Sequence, residues 1–146
     1  MRAQLVADEY EKMFVLVFDK GDDPVAGIAA FAREQQLSAA HFTGIGAFSD
    51  LVVGYFERDR NEYKRIEILE QVEVLSLTGD IAVDEREEAQ VHAHVVVGKL
   101  DGSAHGGHLL AAHVWPTLEV VLVEAPTALR KRIDPETGLA LIALPD

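Results

Sequence analysis

From Ala39 onward the sequence is built almost entirely of short β-branched and aromatic runs separated by turn signals, a cadence that commits the chain to an antiparallel sheet. The runs are Ala40 to Thr43, Leu51 to Glu57, Tyr63 to Leu69, Val72 to Leu77, Val91 to Val97, Leu109 to Val114 and Leu118 to Glu124. An earlier strand, Lys12 to Phe18, stops at Asp19-Lys20-Gly21-Asp22-Asp23. Asp23 before Pro24 then supplies an N-cap with proline in the first helical turn. Val25, Ile28, Ala29 and Ala32 follow at helical spacing, which predicts one amphipathic helix to about Gln36. Asp134-Pro135-Glu136-Thr137-Gly138 reads as a turn before a short strand or tail over Leu139 to Leu144. A length of 146 residues suits one domain over 1–146, large enough to bury a core of its own.

Gly44-Ile45-Gly46 interrupts an apolar stretch but lacks the fuller glycine pattern of a phosphate loop opening a helix, so it is read as a bulge or tight bend.

The second half carries the chemistry. Residues i and i+2 of a strand share a face, so His92 and His94 in Val91-His92-Ala93-His94-Val95 present two imidazoles side by side. Gln90 to Gly98 is predicted to run up, Lys99 to Ser103 to turn on Asp101-Gly102, and His108 to His113 to run back. A hairpin centred on Asp101 sets His94 opposite His108; a centre displaced by half a residue would need a bulge at Gly106-Gly107 to restore that registry. His105, in the expected loop, competes with His108 as the third ligand. Three neutral imidazoles with an open fourth position suit catalytic zinc, while nickel, copper and iron also accept imidazole. The plainer alternative is a set of polar-face histidines on a half-solvated sheet.

Other groups weigh less. Glu119 interrupts the apolar run Thr117 to Val123, where a carboxylate is costly unless paired. It is expected to hydrogen-bond an imidazole, coordinate metal or serve as an acid/base, or else to make an inter-strand or interface hydrogen bond. Asp101, Ser103 and His105 crowd one turn and do not form the serial alignment of a hydrolase triad. His113 and Trp115 are read as packing or surface residues, and His41 carries no assignment.

Charge narrows the partners. Thirteen Lys and Arg against 25 Asp and Glu give a formal net charge of −12, which repels a phosphate backbone and argues against direct nucleic-acid binding. The one basic run, Arg130-Lys131-Arg132, lies beside Asp134 and Glu136 and is read as a solvated turn. The absence of cysteine excludes disulfides and thiol chemistry. No apolar run is long enough to span a bilayer, and Met1 to Tyr10, with its Asp8-Glu9 pair, lacks the features of a secretory leader. A cytoplasmic location is the resulting expectation.

In order along the chain stand Gly44-Ile45-Gly46-Ala47-Phe48-Ser49-Asp50 with Gly54-Tyr55-Phe56, and Glu73-Val74-Leu75-Ser76-Leu77-Thr78-Gly79-Asp80. His92-Ala93-His94, Asp101-Gly102, Gly106-Gly107-His108-Leu109 and Thr117 with Glu119-Val120 follow. Over nearly its whole length the sequence thereby resembles the plants-and-prokaryotes conserved (PPC or PCC) domain. The resemblance implies an α+β fold, a mostly antiparallel sheet with one packed helix, similar to acetolactate decarboxylase, which holds zinc with three histidines. It further implies a homotrimer and a metal on His92, His94 and His108. In plants the domain follows an AT-hook, and no Arg-Gly-Arg-Pro hook occurs here, so the resemblance is to the stand-alone prokaryotic form. Two functions follow as expectations. One is a metal-dependent enzyme on a small oxygenated substrate, with one divalent ion per chain, zinc before others, and Glu119 or His105 handling protons. The other is a trimeric assembly module or DNA-associated regulatory module whose work lies in protein contacts.

Overall fold

Two very long strands carry the architecture, and both are bent where the sequence reads as two separate strands. In the computed structural model, which describes residues 2–7 and 12–144, the described elements run β1 (Arg2–Ala7), β2 (Met13–Phe18), α1 (Pro24–Glu34), β3 (Ala39–Glu57) and β4 (Glu62–Ile68). They continue as β5 (Val72–Val83), β6 (Ala89–Gly98), β7 (Ala104–Glu124), β8 (Arg130–Ile133) and β9 (Ala140–Ala143). The Asp8-Glu9 pair lies outside the described residues.

β3 stays continuous because neighbours pair along both of its edges. Its first half pairs with β5 and the C-terminal half of β7, and its second half with β4 and the N-terminal half of β7. The Gly44-Ile45-Gly46 stretch is the expected bulge, with the β3–β5 register shifting between Gly44 and Gly46. Gly46 is at φ +155, and a Cβ there would lie 2.3 Å from Thr117 O, so only glycine lets the two backbones meet. β6 pairs with both β5 and β7, so the circuit β7–β3–β5–β6–β7 closes on itself. All of these pairings are antiparallel; only the short β5–β8 contact is parallel.

The inner face of this circuit is apolar. Phe42, Phe48, Leu77, Ile81, Val95, Val97, Leu118 and Leu122 are buried there together with Leu16 and Phe18 of β2. The helix starts as expected: Asp23 Oδ1 accepts from Ala26 N at 3.1 Å with Pro24 behind it, and its last turn gives way at Gln36, which takes φ 56. Pro24, Ile28, Phe31 and Ala32 form its buried stripe. Phe31 meets Phe14 edge-on at 5.0 Å between ring centroids, and burying a side chain of this size contributes about 1.5–3 kcal/mol. The α+β fold expected from the sequence is therefore observed.

Three expectations change. β5 does not stop at Leu77 but runs to Val83 through Thr78-Gly79-Asp80, because β3 and β6 pair with it on both sides. β1, absent from the sequence reading, pairs with β2. Arg130-Lys131-Arg132 is not a solvated turn but part of β8, which pairs with β9 to form a C-terminal hairpin, and Lys131 is only 4% exposed. Among the described residues no helix is long and apolar enough to cross a membrane.

Candidate metal centre

The β6–β7 hairpin does what its sequence requires. Ser103 donates to Asp101 Oδ1 from its backbone nitrogen at 2.9 Å and from Oγ at 2.6 Å, and Gly102 turns the chain at φ +81. The register then runs unbroken from Gly98↔Ala104 to His94↔His108, with its centre on Asp101. No bulge is needed at Gly106-Gly107. Those glycines instead allow close strand approach: a Cβ on Gly106 would lie 2.7 Å from Val95 O, and one on Gly107 2.8 Å from Gly54 O. Ala93 and Val95 point into the core at 3% and 2% exposure, so His92 and His94 turn outward, and His108 joins them from the facing strand.

The three rings converge. His92 Nε2 and His94 Nε2 are 3.1 Å apart, and one nitrogen from each of the three histidines lies within 4.8 Å of the others. A tetrahedral zinc with bonds of about 2.0–2.1 Å spaces its nitrogen ligands by about 3.3 Å, so the spread matches the ion. Tyr63 stacks on His108 at 4.7 Å between centroids and 22° between planes. His108 Nδ1 is buried with no hydrogen-bond partner among the described residues, polarity that the protein's own hydrogen bonds leave over. Donor set, spacing and this leftover atom fit a cation held by imidazole nitrogens.

Electrostatics favour the free bases that coordination requires. Burial above all, then the charges of His92, His94 and Lys131, push His108 down to about 4. Burial, followed by the charge of His92, holds His94 below its ordinary 6.5, against the opposing pull of Asp80. The rings face a hollow of about 370 Å³, walled by Tyr63 on one side and by Lys131, Leu139 and Leu141 of the C-terminal hairpin on the other.

Two residues beside the site went unread in the sequence. Asp80 lies directly opposite His92 in the β5–β6 register, with Oδ2 3.3 Å from His92 Nδ1. Its Oδ1 is 2.8 Å from Lys131 Nζ, a charge contact that does not close as an aligned hydrogen bond. The signal was present: Asp80 precedes Ile81-Ala82-Val83, a carboxylate in an apolar strand exactly as costly as Glu119 seemed to be.

The other candidates stand apart. His105 pairs with Val97, three residues from His108 in an unbroken strand, and so faces away from the histidine surface. Glu119 shares the outer face but lies across two intervening strands from His94, about 14 Å at ordinary strand spacing. It lines a different and larger hollow of about 580 Å³ with Ile45, Leu75 and Glu73, where no imidazoles gather. His113 makes a surface pair with Asp50, Nδ1 to Oδ1 at 2.8 Å. That bond raises the His113 pKa and lowers that of Asp50. Trp115 stacks under Lys20 Nζ at 3.6 Å, and His41 is exposed opposite Asp80.

Residues 6–126 match the model of the Plants and Prokaryotes Conserved (PCC) domain. The chain belongs to the PCC domain family. A metal-containing protein from Archaeoglobus fulgidus has 33% identity to this PCC protein over 99% of both chains, with a TM-score of 0.83. A plant- and prokaryote-conserved protein from Pyrococcus horikoshii shows 27% identity over 99% of this chain and 96% of its own, at 0.85. A candidate DNA-binding protein from Bacteroides thetaiotaomicron shows 26% identity over 97% and 96%, also at 0.85. The α-acetolactate decarboxylase of Bacillus subtilis shares the fold alone, at 10% identity over 87% of the PCC chain and 58% of its own, with a TM-score of 0.61. No curated protein matches the chain.

Proposed function

We propose that this PCC protein holds one divalent metal ion per chain, zinc before others, on His92, His94 and His108, and that as a homotrimer it uses the ion on a small oxygenated substrate. The observation that carries the reading is the convergence of three imidazoles beside a hollow of about 370 Å³, with no fourth histidine or carboxylate in the cluster among the described residues. The metal-containing relative supports it. A bound divalent ion supplies Lewis-acid polarisation of an oxygen or a water of lowered pKa. The chain's own residues prepare that chemistry: His94 and His108 are kept as free bases, Tyr63 fixes the His108 ring by stacking, and the C-terminal hairpin narrows access. Neither Glu119 nor His105 stands beside the histidines within the chain, so the reading assigns them no step.

Support for assembly comes from the outer face of the sheet. Ile45, Leu75, Val96 and Val121 are 62%, 56%, 43% and 41% exposed, an amount of aliphatic surface suited to a subunit contact. A second reading, favoured by the relative named as a candidate DNA-binding protein, is an assembly or DNA-associated module in which the metal only pins the hairpin. Direct phosphate contact is disfavoured in that reading as well, because Lys131 and Arg130 are paired with Asp80 and Glu87. Sedimentation of His94→Ala beside a metal assay separates the two. A metal-free variant that remains a trimer supports a working site, and a variant that falls to monomers supports the module.

A further inference from the structure

We infer that Asp80 is the positioning residue of the metal centre, fixing His92 in the tautomer that keeps its proton on Nδ1 and leaves Nε2 free for the ion, with Lys131 anchoring the carboxylate. The inference rests on the reading of the three histidines as ligands.

His92 has two ring nitrogens with different neighbours. Nε2 faces His94 Nε2 at 3.1 Å, on the side where the ligand atoms converge, and Nδ1 faces Asp80 Oδ2 at 3.3 Å. A carboxylate only accepts, so the proton between them belongs on Nδ1 and the lone pair on Nε2. The separation is longer than the 2.7–2.9 Å usual for such a bond, and a small rotation of either side chain closes it. A histidine that gives its second N–H to a carboxylate is held in orientation and made a stronger donor.

The carboxylate is itself restrained. Asp80 and His92 are direct cross-strand partners, and Gly79 beside Asp80 brings β5 close against β6. The other Asp80 oxygen lies 2.8 Å from the ammonium of Lys131, which is only 4% exposed. Burying an ammonium is expensive unless it is paired, so Lys131 requires Asp80 as much as Asp80 requires Lys131. Lys131 projects from the C-terminal hairpin that also supplies Leu139 and Leu141 to the hollow. One ion pair therefore orients a ligand and docks the hairpin over it.

The test uses zinc alone as probe, with affinity read by chelator competition on untagged protein. Asp80→Asn, nearly isosteric, is expected to weaken zinc binding by about 10- to 100-fold. That variant also strands Lys131, so the double variant Asp80→Asn with Lys131→Met, which leaves no buried charge, is compared. A similar loss in the double variant supports positioning through His92. Recovery of wild-type affinity there would overturn it, since the loss would then belong to the stranded ammonium, and Asp80→Asn within about threefold of wild type would overturn it as well. Nitrogen NMR of the metal-free protein reads the tautomer directly: His92 is expected protonated at Nδ1 in wild type and to lose that preference in the double variant. Protonation at Nε2 in wild type contradicts the inference. A wild-type protein that takes up no zinc removes the metal reading itself, whereas zinc uptake that is indifferent to Asp80 removes only this role.

Discussion

Alanine at Gly79 should disturb the metal centre from behind. A Cβ built there lies 2.3 Å from His92 O and 2.3 Å from Phe42 Cζ, where real contacts stay beyond 3.0 Å. Both neighbours must therefore retreat by about 0.7 Å, and neither does so cheaply. The His92 carbonyl belongs to the β5–β6 ladder, and Phe42 is fully buried. Overpacking of this kind costs about 1–3 kcal/mol, and two rigid contacts place Gly79→Ala at the upper end. For a chain of this size that corresponds to a fall of about 5–10 °C in Tm. Gly98→Ala is the control on the same hairpin, because its nearest atom is the tip of the half-exposed Leu75 side chain at 3.3 Å. Its effect should stay within about 0.5 kcal/mol. The assay is thermal unfolding in chelator, followed by zinc titration, in which Gly79→Ala should also bind more weakly because His92 has moved. A Tm within about 1 °C of wild type, or equal damage from Gly98→Ala, would refute the close-approach argument.

Three further outcomes are expected. In proton NMR of the metal-free protein, the His108 ring should titrate near 4 and His94 below 6.5; titration of both at the ordinary value would contradict the burial that sets them. His113 should titrate above 6.5 and return toward it in Asp50→Asn. The raised His113 pKa stabilises the fold at low pH and loses its effect as pH rises through the folded value, while the lowered Asp50 pKa stabilises above 3.8 and fails as pH falls. The pair is thus felt between about pH 4 and 6.5, and as an exposed pair it contributes only about 0.2–1 kcal/mol. Ile45→Asp should shift sedimentation from trimer toward monomer, and an unchanged trimer would remove that face from the interface.

The parts of the fold visible in the sequence were those decided by local chemistry. Asp23-Pro24 set the helix start, Asp101-Gly102 centred the hairpin, and period two put His92 and His94 on one face with His108 opposite. What stayed hidden depended on partners distant along the chain. Thr78-Gly79-Asp80 has the composition of a turn, and only pairing with β3 and β6 on both sides makes it strand. Lys131 sits between two arginines and near acidic residues, which suggests solvent, yet the β8–β9 hairpin folds it back against Asp80. Glu119 misled for the same reason in reverse: its apolar neighbours Val120 and Leu122 face the core while it faces outward.

The central claim is most directly tested by elemental analysis of untagged protein, for wild type and for the His92→Ala, His94→Ala and His108→Ala variants. The account predicts about one zinc or comparable divalent ion per wild-type chain, lost in each variant. A wild-type protein without metal, or metal retained when His94 is removed, would contradict it.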